Sequence, residues 1–218
     1  MIELYDVGRT THRAVKGMYE FILDNVDKYV SNQDLAEKLK EEAKAREIKG
    51  HSIPQEYFSL MCQIWTEAYR SGDFEIDLEA AIFPDTIERF RKVKNNGRNI
   101  GILTSASRGF TDVLYDLRIS PNQKLSDLVD DYFLGEEIGD KDFPETFAKL
   151  WEKTEGGIYA IFDDKPSVCK AAYEGINQAG GRTRLYLVDR KGQYSGEVLE
   201  EMAEKGVIKI GNFDEVNE

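Results

Sequence analysis

Six residues that could carry chemistry each follow a short run of apolar or β-branched residues. They are Asp6 after residues 2–5, Thr104 and Ser105 after residues 99–103, Lys141 beyond residues 132–134, and Asp163 and Asp164 after residues 158–162. If these runs are parallel strands of an open α/β sheet, their carboxyl ends border one crevice, which is where such sheets bind ligands. Carboxylates gathered there can bind Mg²⁺ through oxygen, and an ammonium with a hydroxyl can bind a phosphoryl group.

Each of these residues also has an ordinary structural interpretation. Asp6 can begin a turn, since its side chain bonds nearby backbone groups. Thr104 and Ser105 can cap a helix, Lys141 can be a solvated surface charge, and the acid pair can form a polar turn before Pro166. Taken singly, these interpretations are favoured; the order in which the residues follow four successive runs favours a shared site.

The pattern of apolar residues predicts the elements that would position this site. Helical spacing indicates helices over residues 14–30, within "DLAEKLKEEAKARE", and from Pro54 to Gly72. Beyond Pro84, helices near residues 84–96, 107–118, 143–153, 166–179 and 195–205 alternate with strands at 99–103, 132–134, 158–162, 185–188 and 207–210. This alternation predicts an α/β fold, a Rossmann-like parallel sheet with helices on both faces and right-handed crossovers.

The helical stretch between the first strand and the rest predicts an inserted all-helical cap. We expect the sheet-containing core at residues 1–12 and 82–218 and the cap at residues 13–81, placed to act as a lid. Tyr57, Trp65 and Tyr69 recur at helical spacing, which favours packing between cap helices over substrate stacking. The acidic connector, residues 73–79, is predicted to be a water-exposed hinge.

Composition narrows the classes of partner. Of 218 residues, 29 are Lys or Arg and 41 are Asp or Glu, so a net charge of -12 argues against nucleic acid and anionic membranes as partners. A small phosphorylated ligand would then need a metal cation or placed basic residues. Cys62 and Cys169 lack zinc-site spacing and are predicted to be small core residues. With no secretory pattern and no membrane-spanning run, we expect a soluble, cytoplasmic protein; these features do not indicate its oligomeric state.

The order and spacing of these residues resemble the haloacid dehalogenase (HAD) superfamily, chiefly its phosphatases. The first motif of that family, D-x-D-x-T after a strand, is matched at "DVGRT" from Asp6. The others are matched by "NIGILTSAS" at Thr104, by Lys141 in "GDKDFPETFAKL" and by Asp163 and Asp164 in "YAIFDDKPSVCKAA". The resemblance covers nearly the whole chain, and its longer segments are most similar to the enolase-phosphatase (acireductone synthase) branch.

The resemblance implies hydrolysis of a small phosphorylated metabolite through an aspartyl-phosphate. Asp6 would attack phosphorus, while Thr104, Ser105 and Lys141 would bind the phosphoryl oxygens. The implied cofactor is a magnesium ion, held by Asp6, the backbone carbonyl of Gly8 and Asp164, with Asp163 as a further acid. Lys141 would also keep Asp6 ionised.

Position 8 departs from the family pattern. The phosphatases carry there a second Asp that acts as general acid and base, whereas this chain has Gly8. General acid–base catalysis is typically worth about 10²–10⁴-fold, so Gly8 predicts a slow phosphatase unless another group substitutes. His12, Arg9 and the cap are candidates, although a His at a helix start is more often a surface or capping residue. The alternative is a pseudoenzyme that keeps the fold and serves as a binding protein.

Overall fold

The computed structural model describes residues 1–13, 17–49 and 53–216. The start of the first predicted helix, residues 14–16, lies outside the described residues.

Six parallel strands form one sheet, as predicted. They are β1 (Ile2–Tyr5), β2 (Asn99–Thr104), β5 (Asp131–Leu134), β6 (Ile158–Asp163), β7 (Arg184–Val188) and β8 (Val207–Ile210), in the order β5-β2-β1-β6-β7-β8. The first strand therefore lies inside the sheet, between β2 and β6. A separate two-stranded antiparallel ribbon, β3 (Arg118–Ser120) with β4 (Gln123–Lys124), was not expected from the sequence.

Ten helices surround the sheet in the part of the chain that is described. They are α1 (Met18–Asn25), α2 (Gln33–Lys49), α3 (Gln55–Ser71), α4 (Leu78–Ala81), α5 (Pro84–Asn95), α6 (Arg108–Tyr115), α7 (Gly135–Ile138), α8 (Pro144–Lys153), α9 (Pro166–Gln178) and α10 (Glu197–Glu204). The first predicted helix is shorter than expected, since α1 gives way to a 3₁₀ turn at Val26–Lys28. The acidic connector is only partly a water-exposed hinge, because Ile76 within it is buried and its end forms α4.

Alternating strand residues build a core on each side of the sheet. Leu4 and Ile161 contribute to one apolar cluster together with residues of α8, α9 and α10. Their neighbours Tyr5 and Phe162 belong to the opposite cluster, which includes residues of α5, α6 and the helices at residues 18–81. Because successive side chains of a strand point to opposite faces, this division produces the three-layer arrangement predicted from the sequence.

Trp65 links the inserted helices to the sheet-containing part. Its side chain is fully buried, its indole N–H donates to the Met18 carbonyl (2.8 Å), and its ring centroid lies 5.6 Å from that of Phe110 in α6. Trp65 is therefore a packing residue, as expected, and its contacts extend beyond the insert. The division into a core and a cap at residues 13–81 stays a proposal.

Gly175 allows α8 and α9 to approach closely. A Cβ added at this position would lie 2.0 Å from the Pro144 carbonyl oxygen, so no larger residue fits without displacing backbone. Helix α8 begins shortly after Lys141, and α9 begins shortly after Asp164. The close contact thus connects the two segments that carry the predicted lysine and acid pair.

Candidate active site

The parallel pairing of β1 with β6 brings three predicted carboxylates together. Tyr5 lies opposite Phe162, so Asp6 and Asp163 leave their strands side by side, and the Asp6 amide donates to the Phe162 carbonyl (2.9 Å). All three acids, Asp6, Asp163 and Asp164, are buried, and one carboxylate oxygen of each lies within 4.8 Å of the others. We refer to these three residues as the acid cluster.

Lys141 reaches the acid cluster from the edge of the sheet. The chain leaves β5, makes the single turn of α7 and turns at Gly139 before it presents Lys141. The ammonium donates to Asp6 Oδ1 and to Asp163 Oδ2 (2.8 Å), and the side chain is only 3% exposed. The interpretation of Lys141 as a surface charge is therefore wrong.

Burial dominates the electrostatics of the acid cluster. It raises the pKa of Asp6 to about 6, although Lys141 opposes this shift. It also raises the pKa of Asp164 to about 7, with the charges of Asp6 and Asp163 adding to the effect. Burial alone would lower the pKa of Lys141, but the charges of Asp163 and Asp6 raise it, so the lysine stays protonated. Lys141 thus favours the ionised form of Asp6, as predicted, without offsetting the desolvation.

The donor set of the acid cluster fits a hard divalent cation. Three carboxylates share one buried cation, and burial raises the pKa values of two of them, a shift that the charge of Lys141 offsets only in part. Mg²⁺ prefers carboxylate and carbonyl oxygens. The structure therefore brings together the predicted magnesium ligands Asp6, Asp163 and Asp164, and Gly8 lies two residues beyond Asp6.

Thr104 and Ser105 lie at the carboxyl end of β2, next to β1, as expected. The Thr104 hydroxyl accepts a hydrogen bond from the Ala106 amide (3.1 Å), which is the local turn geometry of the structural interpretation. The Ser105 carbonyl accepts a hydrogen bond from the Gln55 side chain of α3 (2.7 Å). Within residues 1–13, 17–49 and 53–216, neither hydroxyl bonds to the acid cluster, so their predicted contacts with phosphoryl oxygens stay a prediction.

Proteins of known structure share this arrangement of elements. The Unknown transcript 4 protein of Saccharomyces cerevisiae is 17% identical with a TM-score of 0.62, and the match covers 99% of both chains. CbbY from Rhodobacter sphaeroides, solved with phosphate, is 14% identical with a TM-score of 0.58 over 98% of this chain and 95% of its own. A HAD phosphatase from Thermococcus onnurineus is 18% identical with a TM-score of 0.52, over 96% of this chain and 99% of its own.

The chain has the haloacid dehalogenase fold. Among curated proteins, Enolase-phosphatase E1 of Fusarium vanettenii is 27% identical over 110 residues, which are 50% of this chain. This match spans 44% of the relative, less than half its length. The chain matches no protein-family model. The likeness to the HAD superfamily that the strand-end residues indicate is thus confirmed at the level of fold, and the curated relative belongs to the predicted branch.

Gly8 leaves an open position beside the acid cluster. The residue is exposed, and a Cβ built on it would have Asp6 Oδ2 at 4.0 Å as its nearest neighbour. Gly8 is absent from the positive-φ glycines of the described chain, so its backbone does not require glycine. The site can therefore accommodate a side chain at the position where the HAD phosphatases carry their general acid.

His12 is not a surface residue, contrary to the expectation for a histidine at a helix start. It is buried, and its Nε2 lies 3.3 Å from the Leu114 carbonyl oxygen, so Nε2 must carry a proton and donate it. Burial lowers the pKa of His12 to about 4. At neutral pH the imidazole is uncharged and bonded away from the acid cluster, which makes His12 a poor substitute for the missing acid.

Two residues near the acid cluster were not predicted. The Tyr194 hydroxyl donates to the Asp164 carbonyl (2.9 Å), and the charge of exposed Lys165 lowers the pKa of both Asp6 and Asp164 against burial. Lys165 directly follows the acid pair, so extending the strand-end argument by one residue would have found it. Tyr194 lies six residues beyond β7, in a loop whose path the sequence does not indicate.

Proposed function

We propose that the protein is a Mg²⁺-dependent phosphohydrolase that acts on a small phosphorylated metabolite through an aspartyl-phosphate at Asp6. The observation that carries the proposal is the bridging position of Lys141, whose ammonium contacts both Asp6 and Asp163 inside a buried acid cluster. The chain keeps a desolvated carboxylate and a desolvated lysine together at the strand ends, and CbbY, which shares the fold, was solved with phosphate.

In this proposal Asp6 is the nucleophile. Its carboxylate attacks phosphorus, the bond from phosphorus to the leaving oxygen breaks, and the phosphoryl group passes to Asp6. With a pKa of about 6, Asp6 is largely ionised and hence nucleophilic at neutral pH. Lys141 orients Asp6 and offsets negative charge on the phosphoryl oxygens, which the hydroxyls of Thr104 and Ser105 would also bind.

The acid cluster supplies the metal site in the proposal. Asp6, Asp164 and the Gly8 carbonyl would hold Mg²⁺, with Asp163 as a further carboxylate kept in place by Lys141. Mg²⁺, when bound, supplies positive charge that reduces the repulsion between the Asp6 carboxylate and an anionic phosphate. Tyr194 would fix the backbone of Asp164 through its hydrogen bond.

Proton transfer is the weak step of this enzyme. Asp6 and Asp163 each accept a hydrogen bond from Lys141, and Gly8 offers no side chain. Because Gly8 is exposed, water can reach the place of the missing carboxylate, protonate the leaving oxygen and later attack the aspartyl-phosphate. We expect turnover that is slower than that of relatives with an Asp at this position.

Gly8 is also the observation that favours a second candidate, a HAD-fold binding protein without turnover. Such a protein would retain the acid cluster and Lys141 for binding Mg²⁺ and phosphate. The two candidates differ in whether phosphate is released.

A phosphatase assay separates them. Wild-type protein with Mg²⁺ is expected to release phosphate from p-nitrophenyl phosphate and from a panel of phosphorylated metabolites, while EDTA and Asp6→Asn abolish the release. Arg182→Gln, an exposed change before the amino end of β7, is the matched control and should leave the rate unchanged. Equal inertness of wild type and Asp6→Asn, with magnesium binding retained, would establish the binding protein instead.

The choice of substrate, the cap and the cellular location also belong to this proposal. The partial likeness to Enolase-phosphatase E1 supports including phosphorylated enol compounds in the panel. Residues 13–81 are proposed to act as the cap. In the described residues, no helix has both the length and the hydrophobicity to cross a bilayer. The cytoplasmic location and the absence of nucleic-acid and membrane partners stay predictions.

A further inference from the structure

Arg9 is a cation without a partner next to the candidate active site. It lies three residues beyond Asp6 in the loop that leaves β1, and it is exposed. Throughout residues 1–13, 17–49 and 53–216, its guanidinium forms no ion pair and donates no hydrogen bond. Its backbone amide donates to the His12 carbonyl (2.7 Å). Exposed lysines and arginines are common, so the position of Arg9 needs a second observation.

The backbone of Arg9 is strained. Its φ of 60° lies in the left-handed region, where, among the described non-glycine residues, only Glu155 accompanies it. Glu155 belongs to the ordinary turn before Gly156 that closes α8. A non-glycine residue in this region costs free energy and is found preferentially at functional sites. Glycine would remove the strain at position 9, so a large cationic residue kept there indicates a use for its side chain.

The charge of Arg9 acts on two tyrosines, one bonded to a residue of the acid cluster and one in α1. The Tyr194 hydroxyl donates to the Asp164 carbonyl; burial raises the pKa of Tyr194, and the charge of Arg9 opposes this shift. Burial also raises the pKa of Tyr19 of α1, and the charges of Arg46 of α2 and Arg9 oppose that shift. Both tyrosines therefore lie within reach of the Arg9 charge.

The charge balance shows what a cation at this place could bind. A phosphoryl group at Asp6 would already be neutralised by Lys141 and Mg²⁺, with Lys165 nearby. Arg9 is farther along the loop, toward α1 of the insert, and it is unpaired in a protein whose net charge is -12. A guanidinium binds carboxylate and phosphate groups through two parallel hydrogen bonds. An additional cation there fits an additional anionic group on the substrate.

We propose that Arg9 is a specificity-determining residue that binds a second anionic group, a carboxylate or a phosphate, carried by the phosphorylated substrate. This inference rests on the proposed function and adds the substrate class to it. The second group would lie at the mouth of the crevice, between the Asp6 loop and the inserted helices.

Paired compounds that differ only in the second charge test the inference. Binding to the Asp6→Asn protein in Mg²⁺ is measured by titration calorimetry, with glycerol 3-phosphate against 3-phosphoglycerate for a carboxylate. Fructose 6-phosphate against fructose 1,6-bisphosphate tests a phosphate. We expect the doubly anionic member of at least one pair to bind at least 10-fold more tightly, and Arg9→Gln to remove that preference while leaving the singly anionic member unaffected.

Two further variants guard against misfolding. Arg9→Gly relieves the positive-φ strain, so it should unfold at the same or a higher temperature than the parent and still lose the preference. Arg9→Lys keeps the charge and should retain part of it, and Arg182→Gln should retain all of it. No preference in either pair, or a preference that survives both Arg9→Gln and Arg9→Gly, overturns the inference.

Failure of the proposed function has a different signature. If none of the four compounds binds, the inference is overturned, and the rate on p-nitrophenyl phosphate then shows whether the phosphohydrolase fails with it. If the protein hydrolyses p-nitrophenyl phosphate but shows no preference for a second charge, only the proposed role of Arg9 is overturned.

Discussion

In the proposed mechanism, Gly8 limits the rate of the steps that take place at the Asp6 carboxylate. The position is exposed, has no side chain, and has room for a Cβ with Asp6 Oδ2 at 4.0 Å. An aspartate there could protonate the leaving oxygen and then activate water, whereas the present chain must rely on solvent. We therefore expect this one position to limit the turnover of the proposed phosphatase without any change in the acid cluster.

Gly8→Asp should raise kcat for p-nitrophenyl phosphate in Mg²⁺ by about 10²-fold, within the usual contribution of general acid–base catalysis. Gly8→Asn is the matched control, because it has the same size and cannot exchange a proton. The two variants are compared with wild type in steady-state assays. A gain that is equal in both variants would show that the added side chain acts by filling space.

His12 predicts a pH dependence of stability that is separate from catalysis. Burial lowers its folded-state pKa from 6.5 to about 4, so below pH 6.5 the unfolded chain takes up a proton that the folded protein rejects. The neutral, buried histidine therefore contributes stability above pH 6.5 that is lost as the pH falls toward 4.

His12→Gln removes this titration while keeping a polar side chain. The free energy of unfolding of wild type and of His12→Gln is measured in urea at pH 7.5 and at pH 5. On going to pH 5, wild type should lose about 2 kcal/mol more than the variant. A difference that stays constant over this range would mean that His12 protonates equally in both states.

Among the helices and strands, the sequence predicts those long enough for their apolar residues to repeat over several turns, and it misses the shorter ones. Helices α3, α5 and α9 carry apolar residues at helical spacing and were expected. The single turns α4 and α7 and the short β3-β4 ribbon are too brief to show a period. The burial of Lys141 and His12 depends on contacts with residues far along the chain, so their surroundings could not be derived from neighbours in sequence.

Gly175→Ala tests how the α8-α9 contact supports the site. The added methyl would lie 2.0 Å from the Pro144 carbonyl oxygen and push α8 away from α9. Because the clashing atom belongs to the backbone, it cannot move aside as a flexible side chain would. We expect a loss of about 3 kcal/mol in unfolding free energy, at the upper end for overpacking. Asn177→Ala, an exposed change in the same helix, should stay within about 0.5 kcal/mol.

Because this contact joins the segments that carry Lys141 and Asp164, the Gly175→Ala protein that remains folded should also bind Mg²⁺ more weakly. Titration calorimetry below its unfolding temperature measures this. Unchanged magnesium affinity in a destabilised protein would mean that the site is positioned by the strands alone.

For the whole molecule, the buried charge of the acid cluster opposes folding unless a cation accompanies it. Three carboxylates share Lys141 in a chain that already carries a net charge of -12. Burial raises the pKa of Asp6 to about 6 and of Asp164 to about 7. Raised pKa values of acids mean that the folded state binds protons more tightly than the unfolded chain, so the metal-free protein loses stability as the pH rises from the ordinary value of 3.8 to about 7.

Mg²⁺ should therefore stabilise the protein, and more at pH 8 than at pH 5, where protons compete with the ion. A magnesium concentration ten times the Kd contributes about 1.4 kcal/mol. For a chain of this length, that corresponds to a rise of about 3–6 °C in Tm, measured by calorimetry with and without Mg²⁺. Asp164→Asn should abolish the rise, while Asp112→Asn, an exposed acid on α6, should preserve it. An equal rise in both variants would trace the effect to general screening of the acidic surface, because only a localised site can depend on a single buried carboxylate.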